Sequence, residues 1–322
     1  MLLKRRCTRS LGWHVRHCSS KTTAPKHIAR FLDPDGNLCL GEPAVDGKTA
    51  VRIAGCGPHR PGAARGLTRS TETVDISKLL CPVPMPPAIL CVGLNYKKHA
   101  AETDLEEPRF PVVFYKNPAS VIGPGDTIVI PLVAADPPEM DYECELAVVI
   151  GPRPVRNVCP GEALDYVLGY TAANDVSARR WQGKRGGSQW CRSKSFDTFC
   201  PLGPHLLMAG EGVDPDKLEI ATRVNGETMQ SSNTSDMIFN VPHLIAFLSE
   251  STTLLPGTII LTGTPEGVGF ARKPPLWLQP GDQVEIDIEG IGVLTNKLVS
   301  ETPEHTKPQP VWSHALGKLI YP

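Results

Sequence analysis

No run of the 322-residue chain approaches the ~20 consecutive apolar residues that a membrane-spanning helix requires, so a transmembrane reading is excluded. The ten cysteines include no Cys-x-x-Cys pair, and none has zinc-finger spacing to the nine histidines, so no zinc site is visible. A chain of this length buries a substantial core without staples, and the scattered cysteines read as reduced core thiols. No glycine-rich segment ends in the Gly-Lys-Ser/Thr of a phosphate loop or carries the strand-to-helix fingerprint of a dinucleotide site, which disfavours nucleotide binding. Excess positive charge is lacking as well. The net charge is −1, and residues 1–30 hold eight of the 33 basic residues with no acidic one, which leaves 25 basic against 34 acidic residues elsewhere. A net-acidic body is a poor match for the phosphates of a nucleic acid.

What is present points to a β-rich protein. The 29 glycines and 32 prolines favour many turns over long helices. Residues 1–27 are Arg-rich, hydroxyl-rich and acid-free, the composition of a mitochondrial transit peptide, with Arg16 to Ser20 suited to processing. A matrix location is expected on that reading; the alternative is a disordered basic tail on a cytoplasmic protein. From residue 28 a small N-terminal β-domain is expected, opened by a hairpin in which Asp33 to Asn37 turns Ala29–Leu32 back onto Leu38–Leu40. Residues 57–70 read as a loop. The proline-rich run Cys81 to Pro87 can be neither helix nor ordinary sheet, which places a domain boundary near residue 84 and a larger domain over 85–322. In the larger domain strands are expected at 89–92, 112–115, 127–130, 144–150, 166–172 and 218–224, with helices at 96–102, 176–182 and 241–248. The fold class is α+β, with a large, mostly antiparallel sheet system and helices at its edges.

Along Asp141-Tyr142-Glu143-Cys144-Glu145, a strand places Asp141, Glu143 and Glu145 on one face. The run then continues apolar on both faces, as a buried strand does, and buried carboxylates need a compensating cation. A solvent-exposed acidic strand end is the competing reading. Asp175, where a strand ends in Ala173-Asn174-Asp175, supplies a third carboxylate, although it would also serve as a helix N-cap. Oxygen-only ligands suit Mg²⁺ or Mn²⁺, with Ca²⁺ also admissible. His99 and Glu102, three apart on one helical turn, form a pair in which the carboxylate fixes the imidazole for general-base work; an ordinary surface pair is the alternative. The segments Trp190 to Asp197 and Thr262 to Gly269 read as loops rich in small residues.

In chain order, Gly93-Leu94-Asn95-Tyr96 to Glu102, Tyr142 to Leu146, Asn174 to Arg179, Lys194 to Phe199 and Thr262 to Gly269 resemble the fumarylacetoacetate hydrolase family over residues 28–300. The resemblance implies a curled mixed β-sheet (β-roll) domain behind a small β-domain, a homodimer, and a divalent cation on Glu143, Glu145 and Asp175. It implies a small 2-oxo acid substrate that chelates the cation, His99 with Glu102 as the water-activating or proton-moving pair, Lys194 on the developing oxyanion, and Arg179, Gln182 and Thr264 holding substrate. The reaction it favours is C–C hydrolysis of an acylpyruvate or related β-diketo acid, with oxaloacetate decarboxylation or tautomerisation as the alternative. A non-catalytic metal-binding module is the reading from another class. Neither nucleic acid nor membrane is expected as a partner.

Overall fold

The computed structural model describes residues 24–54, 67–305, 311–313 and 318–320. The basic opening segment up to residue 23 and residues 57–66 of the expected loop lie outside them, as do Cys7, Cys18 and Cys56.

The strand Cys144–Ile150 lies inside a twelve-stranded sheet, with every residue buried. Its alternation explains why both faces are apolar. Cys144, Leu146, Val148 and Ile150 face the larger core, while Ala147 and Val149 pack with Ile89, Cys91 and Leu261 on the other side. The antiparallel strand Val167–Asn174 flanks it, followed outward by Cys200–Met208. On its other edge lies Ile259–Leu261, antiparallel to it, then Ile89–Gly93, parallel to Ile259–Leu261, and last Val112–Lys116. The sheet is therefore mixed, and strand ends from distant parts of the chain emerge side by side.

The expected N-terminal hairpin forms, pairing His27–Leu32 with Leu38–Pro43. Asp33 holds its turn by accepting the amides of Asp35 and Asn37. The strands Thr49–Ala54 and Thr68–Asp75 extend this module, which surrounds a core of Ala29, Phe31, Cys39 and Ala50. His27 and Ile28 also pair with Leu207 and Leu206, so its sheet continues into the large one. A second, five-stranded sheet runs Glu227–Asn233, Glu219–Val224, Gln283–Ile288, Gly292–Ser300 and Thr127–Ile130. Its first two strands are joined at Asn225-Gly226, both with positive φ, as a two-residue hairpin of the favoured twist requires. The helix Val241–Leu248 buries Val241, Leu244, Ile245 and Leu248 and is capped by the Asn240 side chain on the His243 amide.

Expectations about element boundaries change at two places here. The loop expected through residue 70 ends earlier, because Thr68 already opens a strand. The helix expected at 176–182 contracts to Arg179–Gln182, with Ala178 in the N-cap position and no side-chain cap. Its start is pre-empted, since Val176 is buried with its amide on the Phe199 carbonyl and Ser177–Ala178 pairs with Met140–Asp141. Asp175 is therefore not an N-cap. The described cysteines carry no disulfide, and burial pushes the Cys81 and Cys200 thiols up to about 12, as inert core thiols require. Among the described residues no helix is long and apolar enough to cross a membrane.

Leu146 is fully buried in the larger core, so Leu146→Ala should cost about 2–5 kcal/mol through lost burial and a residual cavity. Urea unfolding checks this: the midpoint should fall with little change in slope, and a loss below about 1 kcal/mol would contradict this packing.

Candidate active site

Strand register assembles the acidic centre. Cys144 pairs with Asn174 and Glu145 with Ala173, so the next residues outward are Glu143 and Asp175, tied by the Asp175 amide donating to the Glu143 carbonyl at 2.9 Å. Asn174 reinforces the junction by accepting the Glu143 amide at 3.1 Å. Carboxylate oxygens of Glu143, Glu145 and Asp175, all buried, lie within 4.8 Å of one another. Asp141, expected on the same face, does not join them. It accepts the Gly269 and Phe270 amides and the Nε of Arg179, and so fixes that guanidinium.

Three cations surround the triad. Lys194 Nζ reaches Glu143 Oε2 at 2.8 Å, Asp175 Oδ2 at 2.7 Å and Ser177 Oγ at 2.7 Å. Arg179 Nη1 lies 2.7 Å from Glu143 Oε1, and Lys116 Nζ 2.5 Å from Asp175 Oδ1. Burial pushes Glu143 up, but the Lys194 and Arg179 charges outweigh it and hold its carboxyl at about 2. Burial lowers Lys194 as well, and Asp175 and Glu143 overcome this to raise it. Glu145 goes the other way. Burial, then the negative charges of Asp175 and Glu143, push it well above the usual carboxylate range, against which stands the Gly263 amide at 2.7 Å. An oxygen-only donor set in which Glu145 has no cation in contact fits a hard divalent cation, which would favour its ionised form.

Gly263 follows the strand Ile259–Leu261 and has φ +95°, and a Cβ there would lie 2.7 Å from that of Asn95. Asn95 in turn donates to the Thr262 and Phe239 carbonyls, which locks the start of the helix Lys97–Glu102 onto this loop. On that helix His99 Nδ1 lies 2.6 Å from Glu102 Oε1, and the other Glu102 oxygen accepts the Gly267 amide at 2.9 Å. The carboxylate is held at both ends, which leaves Nε2 as the ring nitrogen able to exchange a proton.

His99, Glu143, Arg179, Gln182, Lys194 and Thr264 line one cavity of about 350 Å³. Gln182 accepts from Arg179 Nη1, and Thr264 accepts from Gln230. Arg179 Nη2 is buried and has no hydrogen-bond partner. Lys116, Gln230 and the apolar wall of Phe114, Trp190 and Phe270 went unrecognised in the sequence. The four residues of Trp190–Ser193, expected as loop, form a short helix that leads directly into Lys194.

Such an arrangement suits an enzyme that polarises a carbonyl and moves a proton beside it. The family model described as fumarylacetoacetate (FAA) hydrolase C-terminal matches residues 88–299, and the chain belongs to that family as one of its enzymes. It is 48% identical over 277 residues, 85% of this chain and 80% of the relative, to a mitochondrial oxaloacetate tautomerase of Rattus norvegicus. It is 47% identical over 278 residues, 86% and 81%, to one of Homo sapiens. Among solved structures it resembles a 5-carboxymethyl-2-hydroxymuconate delta-isomerase from Mycobacterium smegmatis, with a TM-score of 0.71, 37% identity, and 85% and 100% of the two chains covered. A fumarylacetoacetate hydrolase from Exiguobacterium antarcticum matches with a TM-score of 0.70 and 36% identity, over 85% and 99%.

If the triad holds a divalent cation, Mg²⁺ or Mn²⁺ should raise the thermal midpoint of the wild type and leave that of Asp175→Asn unmoved. In chelator, Glu145→Gln should be at least as stable as the wild type, because it removes a charge that burial, Asp175 and Glu143 oppose. Thermal scans of the three proteins with and without metal check both; an equal metal response in Asp175→Asn would refute the triad as ligand.

Proposed function

We propose that the chain is an oxaloacetate tautomerase. The relatives from Rattus norvegicus and Homo sapiens that bear that name carry the reading, and they favour it over the C–C hydrolysis that the family resemblance first suggested. The interconversion is an isomerisation: a proton leaves C3 and one arrives on the C2 oxygen, or the reverse, with no water consumed.

Bound on Glu143, Glu145 and Asp175, Mg²⁺ or Mn²⁺ would supply Lewis-acid polarisation of the 2-oxo group. His99, steadied through Nδ1 by Glu102, moves the proton at C3. The Lys194 ammonium faces the oxygen on which negative charge develops, in a buried setting where a fixed charge is worth far more than in water. Arg179, with Nη2 free and Asp141 fixing its orientation, receives a substrate carboxylate, and Gln182 and Thr264 complete that wall. The same relatives, both named mitochondrial, and the acid-free Arg-rich opening segment support a mitochondrial location. A homodimer and the division at residue 84 remain part of this proposal on the family resemblance.

The test follows loss of the oxaloacetate enol absorbance. Wild-type protein with Mg²⁺ should accelerate it, chelator should abolish the effect, and His99→Ala should lower kcat by about 10²-fold, the usual loss with a general acid–base group. Faster cleavage of an acylpyruvate than conversion of oxaloacetate would return the assignment to hydrolysis.

A further inference from the structure

The cavity has two unlike flanks, set apart by Glu143, whose Oε1 is taken by Arg179 and Oε2 by Lys194. On the first flank Arg179 lies over the Phe270 ring, 4.4 Å from its centroid, and suits an anion. On the second, Lys194 Nζ is 5.3 Å from the Phe114 centroid, and Phe114 meets Trp190 edge to face at 5.6 Å. Trp190 packs directly against Gly93, where a Cβ would lie 2.6 Å from the indole, so the missing side chain leaves room for the ring in the wall. Leu94, Leu105 and Val112 carry the apolar surface to the mouth, where Leu105 is 56% and Val112 40% exposed. Among the described residues assigned to this flank, Lys194 is the one that carries a positive charge, and the wall around it is largely apolar. Oxaloacetate is small for a cavity of about 350 Å³, which falls in the size class of pockets for larger ligands.

We propose that the same site tautomerises 2-oxo acids carrying an aromatic group at C3, with the ring seated against Phe114 and Trp190. The inference rests on the tautomerase reading for its chemistry and adds a substrate class to it. The proton balance is unchanged: the enol O–H proton is lost, a C3–H bond forms, the C2–C3 double bond becomes single and the C2–O bond becomes double. An aromatic substituent enters the apolar flank without stranding a charge there, and gains edge-to-face contact with the wall.

Phenylpyruvate, supplied as its enol, is the probe, assayed beside oxaloacetate enol with the full chain and Mg²⁺. The wild type should accelerate ketonisation of both. Leu105→Lys, at an exposed position that the fold tolerates, should raise KM for phenylpyruvate severalfold while leaving KM for oxaloacetate unchanged or lower. Trp190→Ala should raise KM for phenylpyruvate about tenfold, with Trp190→Phe recovering most of it, as expected for loss of an aromatic contact. Acceleration of oxaloacetate alone overturns the aromatic substrate class and leaves the tautomerase reading intact. Acceleration of phenylpyruvate alone supports the class and removes oxaloacetate as substrate, whereas acceleration of neither removes both. Equal KM changes for the two substrates in Leu105→Lys also overturn the proposal.

Discussion

Three carboxylates held within 4.8 Å of one another inside a protein are a constraint that the surrounding chain must satisfy. Like charges in a low-dielectric setting raise each other's proton affinity, and burial adds to the effect. The fold meets this with backbone rather than with side-chain flexibility. The pairing of Cys144 with Asn174 fixes where Glu143 and Asp175 stand, and the neighbouring strand Ile259–Leu261 delivers the Gly263 amide to Glu145. A one-residue slip of Cys144–Ile150 would turn Glu145 into the other core, and a slip of Ile259–Leu261 would withdraw the Gly263 amide from it, so the register and the site are a single feature.

The same strand ends gather the rest of the chemistry. Ile89–Gly93 runs parallel to Ile259–Leu261, so the segment that follows it, ending in the helix with His99, leaves the sheet beside the loop that holds Glu145. Asn95 joins the two by bonding both Thr262 and Phe239. His99 is thus positioned by main chain and amide contacts at one end and by Glu102 at the other.

How much of this could be read from the sequence follows from whether a signal was local. The run from Cys144 to Ile150 and the helix Val241–Leu248 are local patterns, and each forms as expected. The strand Gln283–Ile288 carries an equally local signal, since Val284, Ile286 and Ile288 alternate with polar residues. The carboxylates and His99 could be nominated because strand and helix periodicity place neighbours on one face. Lys116 could not, because its partner Asp175 is 59 residues away and the apolar strand around it gives no hint of a buried charge. The helix at Asp175 failed for a related reason: Val176 spends its amide on Phe199, a long-range contact that overrides a plausible local cap.

The charges of the centre divide by where they end. Asp141, Glu143, Glu145 and Asp175 meet Arg179, Lys194 and Lys116, and contacts pair every acid with a cation except Glu145. That remaining acid is the one whose protonation burial and its acidic neighbours favour, and therefore the one that gains most from a divalent ion. Of the three cations, Lys116 is fully buried against Asp175 and does not line the cavity, so its charge serves to hold that carboxylate in place. Lys194 and Arg179 reach the cavity wall while each grips one oxygen of Glu143. Because both are anchored to the same carboxylate, their separation is set by the protein and not by the substrate. On the proposed chemistry, a substrate oxygen that gains charge during proton transfer would meet cations already in position, with little reorganisation left to oppose the reaction.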